Sequence, residues 1–190
     1  MKTMLKTITI ALAPLAIAMP ALAQTLPPPV VVIVDMDRVI GESAAGKQAS
    51  AELKTRNDAN QARLASLRTQ FGTEGETLQK SAPAQGSPPA TVTAFQGKVR
   101  DYQQRQQTAE ADLQQRDRAF QLSRQYVIKQ INDDAQPVIT AVMRERGATI
   151  VLAEGATLQH SAAIDVTTDV IARIDKALPR VSTTAPAAAK

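Results

Sequence analysis

The sequence predicts a mainly α-helical protein with a small β part: a long antiparallel helical hairpin, a coiled-coil tentacle, standing on a strand-bearing base. Three observations predict it. Between Ser43 and Gln136 apolar residues recur at alternating three- and four-residue steps, broken once by Ser81–Pro89. Short β-branched runs, Val30–Val34 and Thr149–Leu152, flank that stretch on either side. Aromatic residues make up only 3% of the chain and tryptophan is absent, which argues against a large compact core and suits seams filled by Leu, Val and Ala.

In chain order, Met1–Ala23 has the three parts of a secretory signal peptide. Lys2 and Lys6 supply the positive start, Ile8–Met19 the apolar stretch and Ala21-Leu22-Ala23 the small-x-small cleavage site. Pro14 and Pro20 interrupt the run, which falls short of the ~20 residues that a membrane span needs. Cleavage before Gln24 is expected, with the mature chain outside the cytoplasm; no cysteine stands there to carry a lipid anchor. Lys2 and Lys6 account for two charges of the formal net +4. The remaining Arg excess is too weak to suggest nucleic-acid binding. With no cysteine, thiols say nothing of the redox compartment.

Residues 24–29 form a proline-rich leader in polyproline II conformation. Residues 30–42 begin the base. Val30–Val34 reads as a strand buried on both faces. Asp35 and Asp37 follow without a nearby His, Cys or further acid, so they read as caps of the turn into the next helix rather than as metal ligands. Gly41–Gln48 has the spacing of a phosphate-binding loop, G-x-x-x-x-G-K-[ST], but Gln48 replaces the magnesium-binding hydroxyl and Asp35–Ile40 separates the first glycine from its strand. Ser43-Ala44-Ala45-Gly46 reads instead as the opening of the first long helix.

Residues 43–136 form the arm, with its tip near 81–90. Leu53, Asn57, Asn60, Leu64, Leu67, Phe71, Glu74 and Leu78 make the first seam. Val92, Phe95, Val99, Tyr102, Gln106, Ala109, Leu113, Arg116, Phe120, Ser123 and Val127 make the second. Steps averaging 3.5 residues keep a narrow stripe facing a partner helix. The prolines of the break cannot continue a helix. Gly72 and Gly75 each cost roughly 1 kcal/mol relative to Ala in a helix interior. Together with the polar seam positions they predict arms that hold register yet splay toward the tip.

Residues 137–178 complete the base. Ile131, Ala135, Val138 and Val142 form a 3.6-residue face for packing on it. Pro137 is expected to kink this helix or start a new one. Gly147 ends it, after Arg144 and Arg146. Thr149–Leu152 is a second strand, Gly155 a turn, and Ala156–His160 a third strand pairing as a hairpin. Thr167 is expected to cap a last helix whose apolar face is Val170, Ile171, Ile174 and Leu178. Residues 179–190, rich in Ala, Thr and Pro, read as a disordered tail. Two or three short strands are no stable sheet, and their open edges predict an oligomer whose chains pool them into one closed body.

The order of several short stretches completes this reading: Val30–Val34 with Asp35-Met36-Asp37-Arg38-Val39-Ile40, Glu42-Ser43-x-x-Gly46-Lys47, Gln136-Pro137-Val138-Ile139, Arg146–Leu152 and Asp165-Val166-Thr167-x-x-Val170-Ile171. Together they resemble the Skp/OmpH-like periplasmic chaperones over most of the mature chain. The resemblance implies a homotrimer with a small β-barrel body, to which Val31, Val32, Ile33, Ile150, Val151 and Leu152 belong. It implies periplasmic tentacles that enclose unfolded outer-membrane proteins without ATP. Leu64, Leu67, Phe71, Leu78, Phe95 and Val99 are then candidates to face such clients, with Arg63, Arg68, Lys98 and Arg100. Arg105, Arg116 and Arg118 are further arm cations, each of which reads equally as steering acidic clients or anionic lipid or as plain solvated helix surface. Lys98 and Arg100 resemble the family's basic tips, which suggests an anionic lipid or lipopolysaccharide surface, although Ser81–Pro89 is unlike a continuous tip.

No cofactor, metal or catalytic residue is expected. His160 is the only histidine, and no Ser/His/Asp or Cys/His set can be assembled, so an enzyme is disfavoured. The alternative function is an envelope coiled-coil scaffold that spaces partners without binding clients; a nucleotide-binding protein is a distant third.

Overall fold

The computed structural model describes residues 27–186. The signal peptide read in Met1–Ala23 and the last four residues of the tail lie outside the described residues.

Six elements carry the fold: β1 (Val31–Val34), α1 (Met36–Glu42), α2 (Ala44–Lys80), α3 (Pro89–Arg146), β2 (Ile150–Ala153) and α4 (Thr167–Ala177). At 1.5 Å per residue, α2 is roughly 55 Å long and α3 roughly 87 Å. They form the two arms, joined by the turn after Lys80, where Gly86 takes a left-handed φ of +88°. Both helices pass through their weak points. Gly72 and Gly75 stay helical, and α3 runs on through Pro137, so that no new helix starts there. Pro137 and Asp133, whose carbonyl it cannot bond, are both exposed residues.

The helices begin and end as their local chemistry dictates. Asp35 caps α1, its carboxylate accepting from Arg38 N at 2.9 Å. Ser43 caps α2, its hydroxyl accepting from the Gly46 amide at 3.2 Å. Gly147 ends α3 in the left-handed region, and the Ala148 amide bonds Met143 O at 2.9 Å. Thr167 does not cap α4. Its hydroxyl accepts from the Asp35 amide at 2.9 Å, and its own amide donates to Asp165 Oδ1 at 2.8 Å. Burial between β1 and α4 directs that hydroxyl toward the turn after β1 and away from its own helix.

The sheet also departs from expectation. β1 and β2 pair in parallel, Val31 with Ile150 through Val34 with Ala153, and the helices between them supply the long crossover that a parallel pair needs. No third strand forms at Ala156–His160. Glu154–Ala156 is a single 3₁₀ turn, and Thr157 folds back by its amide and hydroxyl onto Glu154 O. Thr157 keeps extended backbone angles, but its amide is taken up by this local turn and no ladder follows. The far side of β1 is closed instead by Val166, whose amide bonds Ile33 O at 3.0 Å.

One face of this small sheet roofs the core. Val32 and Val34 pack with Val39, Ala45 and Ala49, with Val127, Ile131, Ala135 and Val142 of α3, and with Val166, Val170 and Ile174. Each fully buried Ile or Val contributes ~1.5–3 kcal/mol relative to exposure. Arg173 fastens α4 outside, with bonds of 2.8 and 2.6 Å to Glu145 and 2.8 Å to Asp169. The tail is a further departure. Val181 and Thr183 are buried against the arm root, so residues up to 186 follow a defined course where disorder was expected.

Gly46 explains the α1–α2 corner: a Cβ there would stand 1.6 Å from the Ile40 carbonyl oxygen, whereas one at Gly41 would meet nothing within 4 Å. Gly46→Ala is expected to destabilise the base by about 2–3 kcal/mol or more in urea unfolding. Gly41→Ala should be neutral or stabilising, since alanine is the better helix former. Equal effects would contradict this packing.

Candidate functional site

The arms are the largest surface the fold presents, and their seam defines what they can do. Arm residues at three- and four-residue steps do face each other, as the spacing predicts, but they are mostly half-buried. Leu53, Leu64, Phe71, Leu78, Val92, Phe95, Val99, Leu113 and Phe120 all fall in this class. Of the large apolar residues on the arms beyond the base core, Leu67 alone is buried, at 6% exposure, while Asn57 and Arg116 are exposed. A single apolar stripe one residue wide cannot close over itself. Its members therefore show on both sides.

Shallow grooves follow on each side of the seam. Leu67 and Phe71 line one of about 710 Å³ with Arg63 and Arg105, and also one of about 220 Å³ with Leu64, Arg68 and Leu113. A third, of about 420 Å³, lies at the root between Ile40, Leu53, Phe120 and Ile128. Their linings mix apolar side chains with charged ones, Asp101 and Asp112 in the first and Lys54 and Arg124 at the root. Such lining offers replaceable contacts to an apolar side chain and no fixed polar constellation for a small ligand.

Two polar clasps hold the arms in register. At the root, Arg56 Nη1 donates to Ser123 Oγ at 2.8 Å and to Thr183 O at 3.0 Å. Toward the tip, Arg105 grips Glu74 with both ends of its guanidinium, one bond being 2.9 Å, and takes Asp101 at 3.1 Å. Arg105 holds the Glu74 carboxyl below its ordinary range through these bonds. Beside it Tyr102 donates to Phe71 O at 2.9 Å and accepts from Gln106 at 3.1 Å, its ring edge-on to Phe71 at 5.7 Å. Gly75 makes room, since a Cβ there would be 3.0 Å from the Tyr102 hydroxyl.

Of the residues singled out from sequence, Leu64, Leu67, Phe71, Leu78, Phe95 and Val99 lie in the seam, with Leu64, Leu67 and Phe71 also lining grooves. Arg63, Arg68, Lys98 and Arg100 are exposed. In the base, Val32 and Ile33 are buried within the chain, Val31 and Val151 are half-buried, and Ile150 and Leu152 are exposed at 40% and 38%. Sequence reasoning missed Leu122 and Leu158, exposed at 55% and 103%. Leu122 falls outside the seam pattern between Phe120 and Ser123, and an apolar residue out of phase was the available signal. His160 sits in the loop beside Glu154 at 3.4 Å; that carboxylate and Ser161 O raise the imidazole's pKa.

The phosphate-loop spacing has no loop behind it. Gly41 lies in α1 and Gly46 in α2. The first α2 amide donates to Asp175 Oδ1 at 2.7 Å, so a carboxylate of the chain already occupies the anion position at that helix end. Among the described residues no group of three or more His, Cys, Asp or Glu could hold a metal ion, and no helix is long and apolar enough to cross a membrane.

Residues 30–174 match the model of the outer membrane protein (OmpH-like) family. No curated protein matches the chain. Among solved structures, the fold is similar to that of an OmpH-like protein from Caulobacter crescentus CB15, for which an outer membrane chaperone role has been proposed. That likeness has a TM-score of 0.56 at 23% identity and covers 83% of this chain and 90% of the other.

The clasp at Glu74 carries a pH signature. Its carboxyl is depressed in the folded arm, so the stabilisation is present above the ordinary carboxylate pKa and is lost as pH falls through the folded value. Spin labels at Gln79 and Thr93 should give a narrow distance distribution at pH 7 that broadens only as the pH falls below the ordinary carboxylate range. In Glu74→Gln it should be broad at both. An unchanged distribution in that variant would show that the clasp does not hold the arms.

Proposed function

We propose that this chain, which belongs to the outer membrane protein (OmpH-like) family, is a periplasmic chaperone that holds unfolded outer-membrane proteins between its arms without ATP. The observation that carries the reading is the half-buried seam: long helices whose apolar residues are too few to close over one another and remain reachable along both sides. An unfolded chain needs many weak, exchangeable contacts, because ordering it at any one place costs conformational entropy. Grooves of mixed apolar and polar lining supply those contacts, and the exposed Arg63 and Arg68 add a field that steers acidic segments.

The assembly is a homotrimer. Val31, Ile150 and Leu152 share the sheet face opposite Val32 and Val34; Ile33 on that face is already buried within the chain, while Ile150, Leu152 and, in the loop beyond, Leu158 are exposed. A two-stranded sheet with an apolar face has no independent stability, and other copies of the strands complete it as a closed body. The arms then stand around one cavity. Lys98 and Arg100, near the tip, meet anionic lipid where the arms touch a membrane.

The test uses protein beginning at Gln24 and a β-barrel outer-membrane protein diluted from urea. One equivalent of the assembled protein should suppress the client's light scattering without nucleotide, and light-scattering mass should correspond to three chains. Undiminished aggregation, with tight binding to one folded partner, would instead identify a scaffold.

A further inference from the structure

The C-terminal segment that leaves α4 does not run free. After Leu178, which closes α4, it crosses the root of the hairpin between α2 and α3. Val181 and Thr183 turn in, at 8% and 6% exposure, while Ser182 and Thr184 turn out. The contacts that hold it are made chiefly to its backbone. Gln48 Oε1 accepts from Val181 N at 3.1 Å. The Gln130 amide takes both sides of Ser182, accepting from its N–H at 3.1 Å and donating to its carbonyl at 2.9 Å. Arg56 donates to Thr183 O at 3.0 Å. Side-chain recognition is limited to the Thr183 hydroxyl, which donates to Glu52 at 2.7 Å, and a loose pairing of Arg180 with Glu52 at 3.7 Å.

A carboxamide that matches one residue's N–H and C=O does what a neighbouring strand does: it reads extended backbone whatever the sequence. The two inward pockets accept small β-branched side chains at i and i+2, the spacing of one face of a strand. We infer that this root groove is a binding subsite for extended segments of another polypeptide carrying Val, Ile or Thr at alternate positions, and that the C-terminal segment occupies it in cis until displaced. This rests on the client-holding reading and names the part of a client that it takes. Strands destined for an outer-membrane barrel alternate in that way, with an apolar residue at every second position. Only two residues separate Leu178 from Val181, so the cis segment has a high local concentration and keeps the groove covered until a client, held also along the arms, competes at comparable effective concentration.

The probe is a dye-labelled peptide, Val-Ser-Thr-Thr-Ala-Pro-Ala-Ala-Ala, titrated by fluorescence anisotropy. The full chain carrying Val181→Asp and Thr183→Asp, which ejects the cis segment, should bind it at least tenfold more tightly than the unaltered chain. Adding Gln130→Ala to that variant should remove most of the gain. A second measurement uses the unaltered chain alone: excess unlabelled peptide should speed tryptic cleavage after Arg180 severalfold. Equal binding by both chains, together with cleavage that the peptide leaves unchanged, would overturn the inference even if the double variant had lost its fold. The two readings fail separately. Peptide binding without suppression of client aggregation would leave the groove and remove the chaperone; suppression without peptide binding would do the reverse.

Discussion

The arms are longer than their apolar seam can stabilise, and the rest of the molecule answers that deficit. A helical pair with half-buried Leu, Val and Phe gains only part of the ~1.5–3 kcal/mol that a fully buried side chain contributes, and it meets polar positions at Asn57, Asn60, Glu74, Gln106 and Arg116. The deficit is made up at one end. α3 is both an arm and the central post of the base, where Val127, Ile131, Ala135 and Val142 are buried in sequence against β1, α1 and α4. The hairpin is thus a cantilever, anchored where α3 enters the base core and loosely tied beyond it.

The ties are polar and spaced. Arg56–Ser123 lies near the root and Glu74–Arg105 with Tyr102–Phe71 lies toward the tip, with thinly packed seam between them. A polar pair fixes register because any slip leaves a charge or hydroxyl unmatched, while it adds little net stability at a partly exposed site. This division leaves grooves beside the seam and allows the arms to give without losing alignment. Gly75, which by propensity weakens α2, is the space that lets Tyr102 reach the Phe71 carbonyl.

Elements governed by local chemistry were legible in the sequence. The seam period, the break at the tip, the cap at Asp35, the opening of α2 at Ser43 and the end of α3 at Gly147 each depend on a few adjacent residues, and the structure has them where the pattern puts them. Features decided by distant partners were not. Thr167 has a cap's chemistry, but its hydroxyl serves the Asp35 amide 132 residues away. Ala156–His160 has strand-like residues but folds back on Glu154. Residues Val181–Thr184 have a tail's composition, yet Gln48, Glu52, Arg56 and Gln130 fix their course, and nothing in an Ala/Thr/Pro sequence announces those partners. Of the candidate site, the seam residues were legible by period; the out-of-phase Leu122 and the root groove were not.

The most direct test of a cantilever is amide hydrogen exchange along α2 and α3 in the native protein. Protection should be greatest where α3 crosses the base core, around Val127–Val142, and should fall stepwise toward Lys80 and Pro89, with local maxima at the two clasps. Uniform protection from root to tip, lost in a single global transition, would mean that the seam stabilises the arms unaided, and would contradict the account.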